Sequence, residues 1–95
     1  HITGPEEYFE KFHSDLGLPP YVLGEARDLW NTVKDNLSWQ GKKPSGIAGV
    51  VLYRASQNST SPRTQSEVCK VSGISEVTLR GLLKILKQMA ARQAQ

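Results

Sequence analysis

Residues 63–86, Arg63-Thr-Gln-Ser-Glu-Val-Cys-Lys-Val-Ser-Gly-Ile-Ser-Glu-Val-Thr-Leu-Arg-Gly-Leu-Leu-Lys-Ile-Leu86, read as a short capped helix, a glycine turn and a second capped helix. That order is a helix-turn-helix written in sequence. Thr64 with Glu67 three positions on has the pattern of a capping box, so a helix is expected to start at Gln65. Ser72-Gly73 ends it, because glycine enters the left-handed region without a Cβ clash. Ser75 is then a second N-cap, and Ile74 before it is placed to fold over Leu79 as a hydrophobic staple. Leu79, Leu82, Leu83 and Leu86 recur at i, i+3, i+4 and i+7, an apolar stripe that fixes the core side of the second helix.

At about 100° per residue, Val77, Gly81, Lys84 and Gln88 point away from that stripe, with Arg80 on its flank. A valine on the exposed N-terminal end of a helix, followed one turn on by Arg80, suits a major groove. There a branched apolar side chain meets a thymine methyl, and an arginine pairs bidentately with guanine O6 and N7. On a helix taken at random the same pair is a stray surface residue and a solvated charge; within a helix-turn-helix the groove reading is the stronger one.

Composition sets the outer bounds. A chain of 95 residues with 38% hydrophobic content suffices for one domain, residues 1–95, with one modest core. Cys69, the single cysteine, excludes an internal disulfide and a multi-cysteine zinc site, and reads as a small buried thiol. His1 and His13 are too scattered for metal ligation, so no metal or cofactor is expected. There is no apolar run of membrane-spanning length and no signal-peptide pattern, so the expectation is a soluble intracellular chain. No paired carboxylates, nucleophile–base constellation or phosphate loop can be assembled, and no enzymatic activity is expected.

The net charge of +3 conceals an asymmetry. Residues 1–35 carry seven acids (Glu6, Glu7, Glu10, Asp15, Glu25, Asp28, Asp35) against three bases. Residues 36–95 carry nine bases against two acids, Glu67 and Glu76. Such polarity orients a protein on a polyanion, since phosphate neutralisation supplies most sequence-independent DNA affinity.

The remainder reads as helix throughout. In 5–16, Pro5 and two glutamates open a helix with Tyr8, Phe9, Phe12 and Leu16 on one stripe before Gly17. Pro19-Pro20 restarts the chain, and Val22, Ala26, Leu29, Trp30, Val33 and Leu37 recur at helical spacing, predicting a longer helix over 20–38. Pro44 leads into 45–57, apolar or small on almost every side, as a buried central helix must be. Gly46, Ala48, Gly49 and Ala55 in it point to close approach of neighbouring helices. Residues 57–62, QNSTSP, form a surface loop; the last helices are expected over 65–71 and 76–91. The fold class is all-α, with five helices and no strand pattern.

Four segments, in order, carry a resemblance: Gly41-Lys-Lys-Pro-Ser45; Ala48 with Gly49-Val-Val-Leu-Tyr-Arg-Ala-Ser56; Arg63-Thr-Gln-Ser-Glu67; and Gly73-Ile-Ser-Glu-Val-Thr-Leu-Arg80. Together they resemble the second cyclin-like repeat of the general transcription factor B family, the archaeal and eukaryotic initiation factors that bind the TATA-binding protein on promoter DNA. Ile2-Thr-Gly-Pro5 and Tyr8 are similar to that family's inter-repeat linker and first helix, so the resemblance covers nearly the whole chain. The TQSEV and SEVT wording favours the archaeal branch.

The resemblance implies a five-helix cyclin-like domain whose recognition helix reads the B recognition element upstream of TATA. It implies base contacts from Val77 and Arg80, the pair that helical geometry selects unaided. It implies backbone contacts from Lys42, Lys43, Ser45, Arg63, Thr64, Gln65, Thr78 and Lys84. The implied partners are double-stranded promoter DNA and the TATA-binding protein, with the chain a monomer. RNA polymerase would be met only through a zinc ribbon, a reader segment and a first repeat, none of which is among these residues. The implied setting is the archaeal cytoplasm at the nucleoid, or the nucleus of a eukaryote. The chain departs from the family at Gly81-Leu82-Leu83, where members commonly have a polar residue, a second basic residue and a tyrosine.

Two other readings stay open at the level of sequence. A cyclin-like protein-interaction module without DNA binding is compatible with the fold, although the basic half weighs against it. A repressor-type helix-turn-helix would need a dimer interface, for which the short tail Gln88 to Gln95 offers no candidate.

Overall fold

A computed structural model of the chain describes residues 5–35 and 37–93. Five α-helices follow one another: α1 (Glu6–Leu16), α2 (Pro20–Val33), α3 (Pro44–Ser56), α4 (Gln65–Ser72) and α5 (Glu76–Gln93). A single 3-10 turn, Leu37–Trp39, lies between α2 and α3, and no strand occurs among the described residues. Ile2 to Gly4 of the linker-like opening, His1, Asn36 and the last two residues of the tail lie outside the described residues.

The third helix is the centre. It packs against α1, α2, α4 and α5, and Ile47, Ala48, Val50, Val51, Leu52 and Ala55 are all buried. Around it close Phe9, Phe12 and Leu16 of α1, Val22, Ala26 and Trp30 of α2, Val68 of α4, and Leu79, Leu82, Leu83 and Leu86 of α5. The tail contributes more than its composition suggests, since Met89 is also buried.

Small residues on α3 bring α4 and α5 close. A Cβ on Gly49 would sit 2.9 Å from Ser72 Cβ and 3.4 Å from Val68 Cγ1 of α4. One on Gly46 would sit 3.1 Å from Leu82 Cδ1 of α5 and 3.5 Å from Ile74 Cγ2. Ile74 thus lies over α3 at the start of α5. Gly49→Ala is expected to destabilise the fold by about 1 kcal/mol net, since overpacking costs about 1–3 kcal/mol and alanine returns about 1 kcal/mol of helix propensity. Gly81, in contrast, meets nothing within 4 Å. Gly81→Ala is expected to stabilise the chain by up to about 1 kcal/mol. Paired urea titrations of the two variants should move the midpoint in opposite directions.

The second helix ends short of the boundary expected at residue 38, and this corrects the sequence reading. Its last helical residue is Val33, whose carbonyl accepts the Trp39 indole N–H at 2.9 Å. Val33 is one of the terminal residues whose carbonyls have no partner within the helix, and the indole satisfies it. Leu37 consequently turns outward, 77% exposed, while Trp39 is buried with its ring centroid 6.0 Å from that of Trp30.

Polar side chains fix the remaining joints. The Arg63 guanidinium reaches across to the end of α1, with Nε donating to the Leu16 carbonyl at 2.8 Å and Nη2 to the Gly17 carbonyl at 3.2 Å. Gly17 can turn there because its φ is +64°. His13 Nε2 donates to the Pro19 carbonyl at 2.8 Å, which uses that ring structurally. The 57–62 loop is held by the Tyr21 hydroxyl, which accepts from the Thr60 backbone N–H at 3.0 Å, and by Gln57 Nε2, which donates to the Arg63 carbonyl at 3.0 Å. The Thr60 hydroxyl, 3.4 Å from the Tyr21 oxygen, and the Thr60 backbone N–H hold the Tyr21 phenol below its ordinary pKa. Within the acidic half, Glu6 accepts the Trp30 indole N–H at 3.1 Å and Glu10 pairs with Arg27 at 2.9 Å. Some of that acidity therefore serves packing.

Candidate nucleic-acid interface

Two caps and a glycine present α5. Thr64 Oγ1 accepts the Glu67 N–H at 3.2 Å and starts α4, while the Glu67 carboxylate lies 3.8 Å from Arg63 Nε instead of closing the capping box on Thr64. Gly73, with φ +76°, closes α4 and its N–H returns to the Cys69 carbonyl at 2.8 Å. Ser75 Oγ then accepts the Thr78 N–H at 3.2 Å and lies 2.9 Å from Thr78 Oγ1, the second N-cap. Both helices are thereby anchored at their N-terminal ends, where unpaired backbone N–H groups favour anions.

The leucine stripe of α5 is buried, and the opposite face is open: Val77, Arg80, Gly81, Lys84 and Gln88 are exposed. Val77 is 75% exposed. No packing among the described residues explains an apolar side chain held out in the first turn of a helix.

Two shallow clefts flank this face. One, of about 300 Å³, brings Lys42 and Lys43 before α3 together with Gly73, Ile74, Ser75 and Thr78. The other, of about 490 Å³, joins Gln65 at the start of α4 to Arg80, Lys84, Lys87 and Gln88 of α5. The expected residues Lys42, Lys43, Gln65, Thr78, Arg80 and Lys84 therefore line these two clefts although they come from three regions of the chain. Lys87, which sequence reasoning did not select, joins them; its spacing of one turn from Lys84 was the available signal. Ser45 is half-buried in the first turn of α3, beside the lysine pair in sequence. Thr64 is exposed with its oxygen committed to the cap. Arg63 is not brought to this face, because its guanidinium is turned to the carbonyls that end α1.

Cys69 lies behind the face, buried, and burial first and the neighbouring Glu76 second push its thiol up from the ordinary value, Arg80 opposing them. Among the described residues no group of three or more histidines, cysteines and carboxylates is placed to hold a metal, and no helix is long and apolar enough to cross a membrane.

Four helices wrapped on a buried third, with a basic helix pair at the end, define an all-α domain of the cyclin-like type. The family model described as transcription factor TFIIB repeat matches residues 1–89, and the chain belongs to that family. It is 40% identical over 78 residues to transcription initiation factor IIB 3 of Halobacterium salinarum, covering 82% of this chain and 25% of that protein. It is 39% identical over 85 residues to transcription initiation factor IIB 2 of Haloferax volcanii, covering 90% and 26% respectively. A match to transcription initiation factor IIB of Methanocaldococcus jannaschii is 36% identical over 86 residues, covering 90% of this chain and 13% of that one. The chain thus spans about a quarter or less of the length of these curated relatives.

Proposed function

We propose that the chain is a promoter-binding repeat of a transcription initiation factor, reading the B recognition element just upstream of TATA with α5 in the major groove, beside the TATA-binding protein. The observation that carries this reading is Val77, held 75% exposed in the first turn of α5, on a helix whose other residues line two clefts with cationic side chains. Val77 meets a thymine methyl and Arg80 a guanine edge. Lys42, Lys43 and Thr78 hold phosphates along one side of the groove, and Gln65, Lys84 and Lys87 along the other; Ser45 and Thr64 stand at the two helix starts beside them. Arg63 acts as the clamp between α1 and α4. The repeat works as a monomer on double-stranded DNA, without metal or cofactor and without catalysis. Contact with RNA polymerase belongs to other parts of the whole factor.

Most of the affinity of this small basic domain comes from phosphate contacts, so its binding alone is weak and falls steeply with salt. The TATA-binding protein and the bent DNA beside it supply the remaining contacts, and binding is cooperative. A gel-shift titration on TATA duplexes with and without a purine-rich upstream element, each with and without the TATA-binding protein, tests this. Binding that sharpens only when both are present is the expected result. Binding indifferent to both leaves a protein-interaction module instead.

The lysine pair has its own signature. Lys42→Ala with Lys43→Ala should weaken all duplexes alike and reduce the salt slope by roughly 1–2. An unchanged slope would remove both residues from the interface.

A further inference from the structure

Arg80 is 64% exposed, yet its side chain is held at two points. Nε donates to Gln65 Oε1 at 3.3 Å, and Nη2 lies 3.9 Å from Glu76 Oε1. The two holds differ in kind. Glu76 is one turn earlier on the same helix and well exposed, so that ion pair is weak and readily exchanged. Gln65 comes from another element. It is the first residue of α4, half-buried, directly after the Thr64 cap, and the Arg63 carbonyl two positions before it is tied to Gln57 Nε2. Its backbone is therefore fixed independently of α5.

We infer that Gln65 is a positioning residue for Arg80, a role that rests on the promoter-reading proposal above. An arginine offers its five N–H donors on fixed edges of a plane. With Nε occupied by the Gln65 amide oxygen, the end of the guanidinium carrying both Nη groups is left for a base, and the contact with guanine is end-on and bidentate. The hold also removes rotamer freedom before DNA arrives, and preorganisation of this kind raises affinity by reducing what must be ordered on binding. Glu76 is the element that gives way: Nη2 exchanges its carboxylate for the guanine edge. Because Gln65 belongs to α4, the direction in which Arg80 points is set by the packing of α4 on α3, the crossing that Gly49 makes possible. The amide nitrogen of Gln65 is not needed for this hold and stays available to a phosphate, so one side chain links the backbone register to the base that is read.

The experiment measures base preference in the complex with the TATA-binding protein. Duplexes differing at single upstream base pairs compete for the wild-type chain, Gln65→Ala, Gln65→Glu, Arg80→Ala and the Gln65→Ala, Arg80→Ala double variant, each first shown folded by circular dichroism. Arg80→Ala should abolish preference at one position. Gln65→Ala should lower preference at that same position by roughly five- to tenfold, the size expected for directly contacting side chains. The double variant should discriminate no worse than Arg80→Ala alone. Gln65→Glu, which keeps the acceptor and loses the amide donor, should retain the preference while binding every duplex more weakly. An equal loss on all duplexes for Gln65→Ala, additive with Arg80→Ala, makes Gln65 a phosphate contact only and overturns this inference alone. No base-dependent loss for Arg80→Ala overturns the promoter-reading proposal and this inference with it.

Discussion

Trp39→Ala is expected to lower the unfolding free energy by about 3–5 kcal/mol, as large aromatic truncations in a core do. Trp39 is 7% exposed and packs its ring against Trp30 at 6.0 Å. Its N–H also donates to the Val33 carbonyl at 2.9 Å where α2 ends, so the variant loses packing and a helix terminus together. In a chain of this length that corresponds to a fall in Tm of well over ~10 °C. Trp39→Phe separates the two contributions. It keeps most of the ring, loses the donor and strands the carbonyl, and should cost about 1–3 kcal/mol. Leu37→Ala is the control, expected within about 0.5 kcal/mol of wild type because Leu37 stands in solvent. Equal losses for Leu37→Ala and Trp39→Ala in urea titrations would restore the longer second helix with Leu37 on its core stripe.

The second large effect falls on DNA. Arg80→Ala should cost about 1–3 kcal/mol on a duplex with a matched upstream element and much less on a scrambled one, the signature of a base contact. Folding should be unaffected, since the side chain is exposed and its ion pair with Glu76 at 3.9 Å contributes little. Equal losses on both duplexes would place Arg80 among the phosphate contacts. Val77→Ala should give a smaller loss that is confined to sites with a thymine, because it removes methyl groups and no charge.

Most of this architecture is legible in the sequence because each element carries its own periodicity and punctuation. The leucine stripe of α5, the Thr64 and Ser75 caps and Gly73 are local signals, and each reappears as a buried face, a hydrogen bond or a positive φ. The all-apolar run of α3 likewise marks its burial, and the small residues within it mark the close crossings at Gly46 and Gly49. The stretch from Lys34 to Lys43 has no such redundancy. Leu37 and Trp39 are both apolar and two positions apart, so only one suits a given helical face, and periodicity favours Leu37. What decides for Trp39 is the neighbouring Trp30 ring and an indole donor within reach of Val33, both consequences of tertiary packing.

The site divides in the same way. Val77 and Arg80 follow from helical geometry, because a core stripe on one side leaves a defined face on the other. Arg63 does not, since its carbonyl partners lie forty-six and forty-seven residues away at the end of α1, and nothing near Arg63 in sequence signals them. The same holds for the Gln65 to Arg80 contact, which spans fifteen residues and depends on how the Gly73 turn folds α5 against α4. Gly81 faces open space on the exposed side of α5, so the backbone there can approach a groove closely.

The position of α5 on DNA can be mapped by cleavage from residue 77. Val77→Cys carrying a DNA-cleaving chelate can be prepared selectively, because Cys69 is 8% exposed and its thiol is pushed up by burial, whereas position 77 stands in solvent. In complex with the TATA-binding protein, strand scission should be confined to the base pairs immediately upstream of TATA and should vanish when the TATA-binding protein is left out. Cuts spread along the duplex, or none at all under conditions where the complex forms, would contradict the placement of α5 in the upstream major groove.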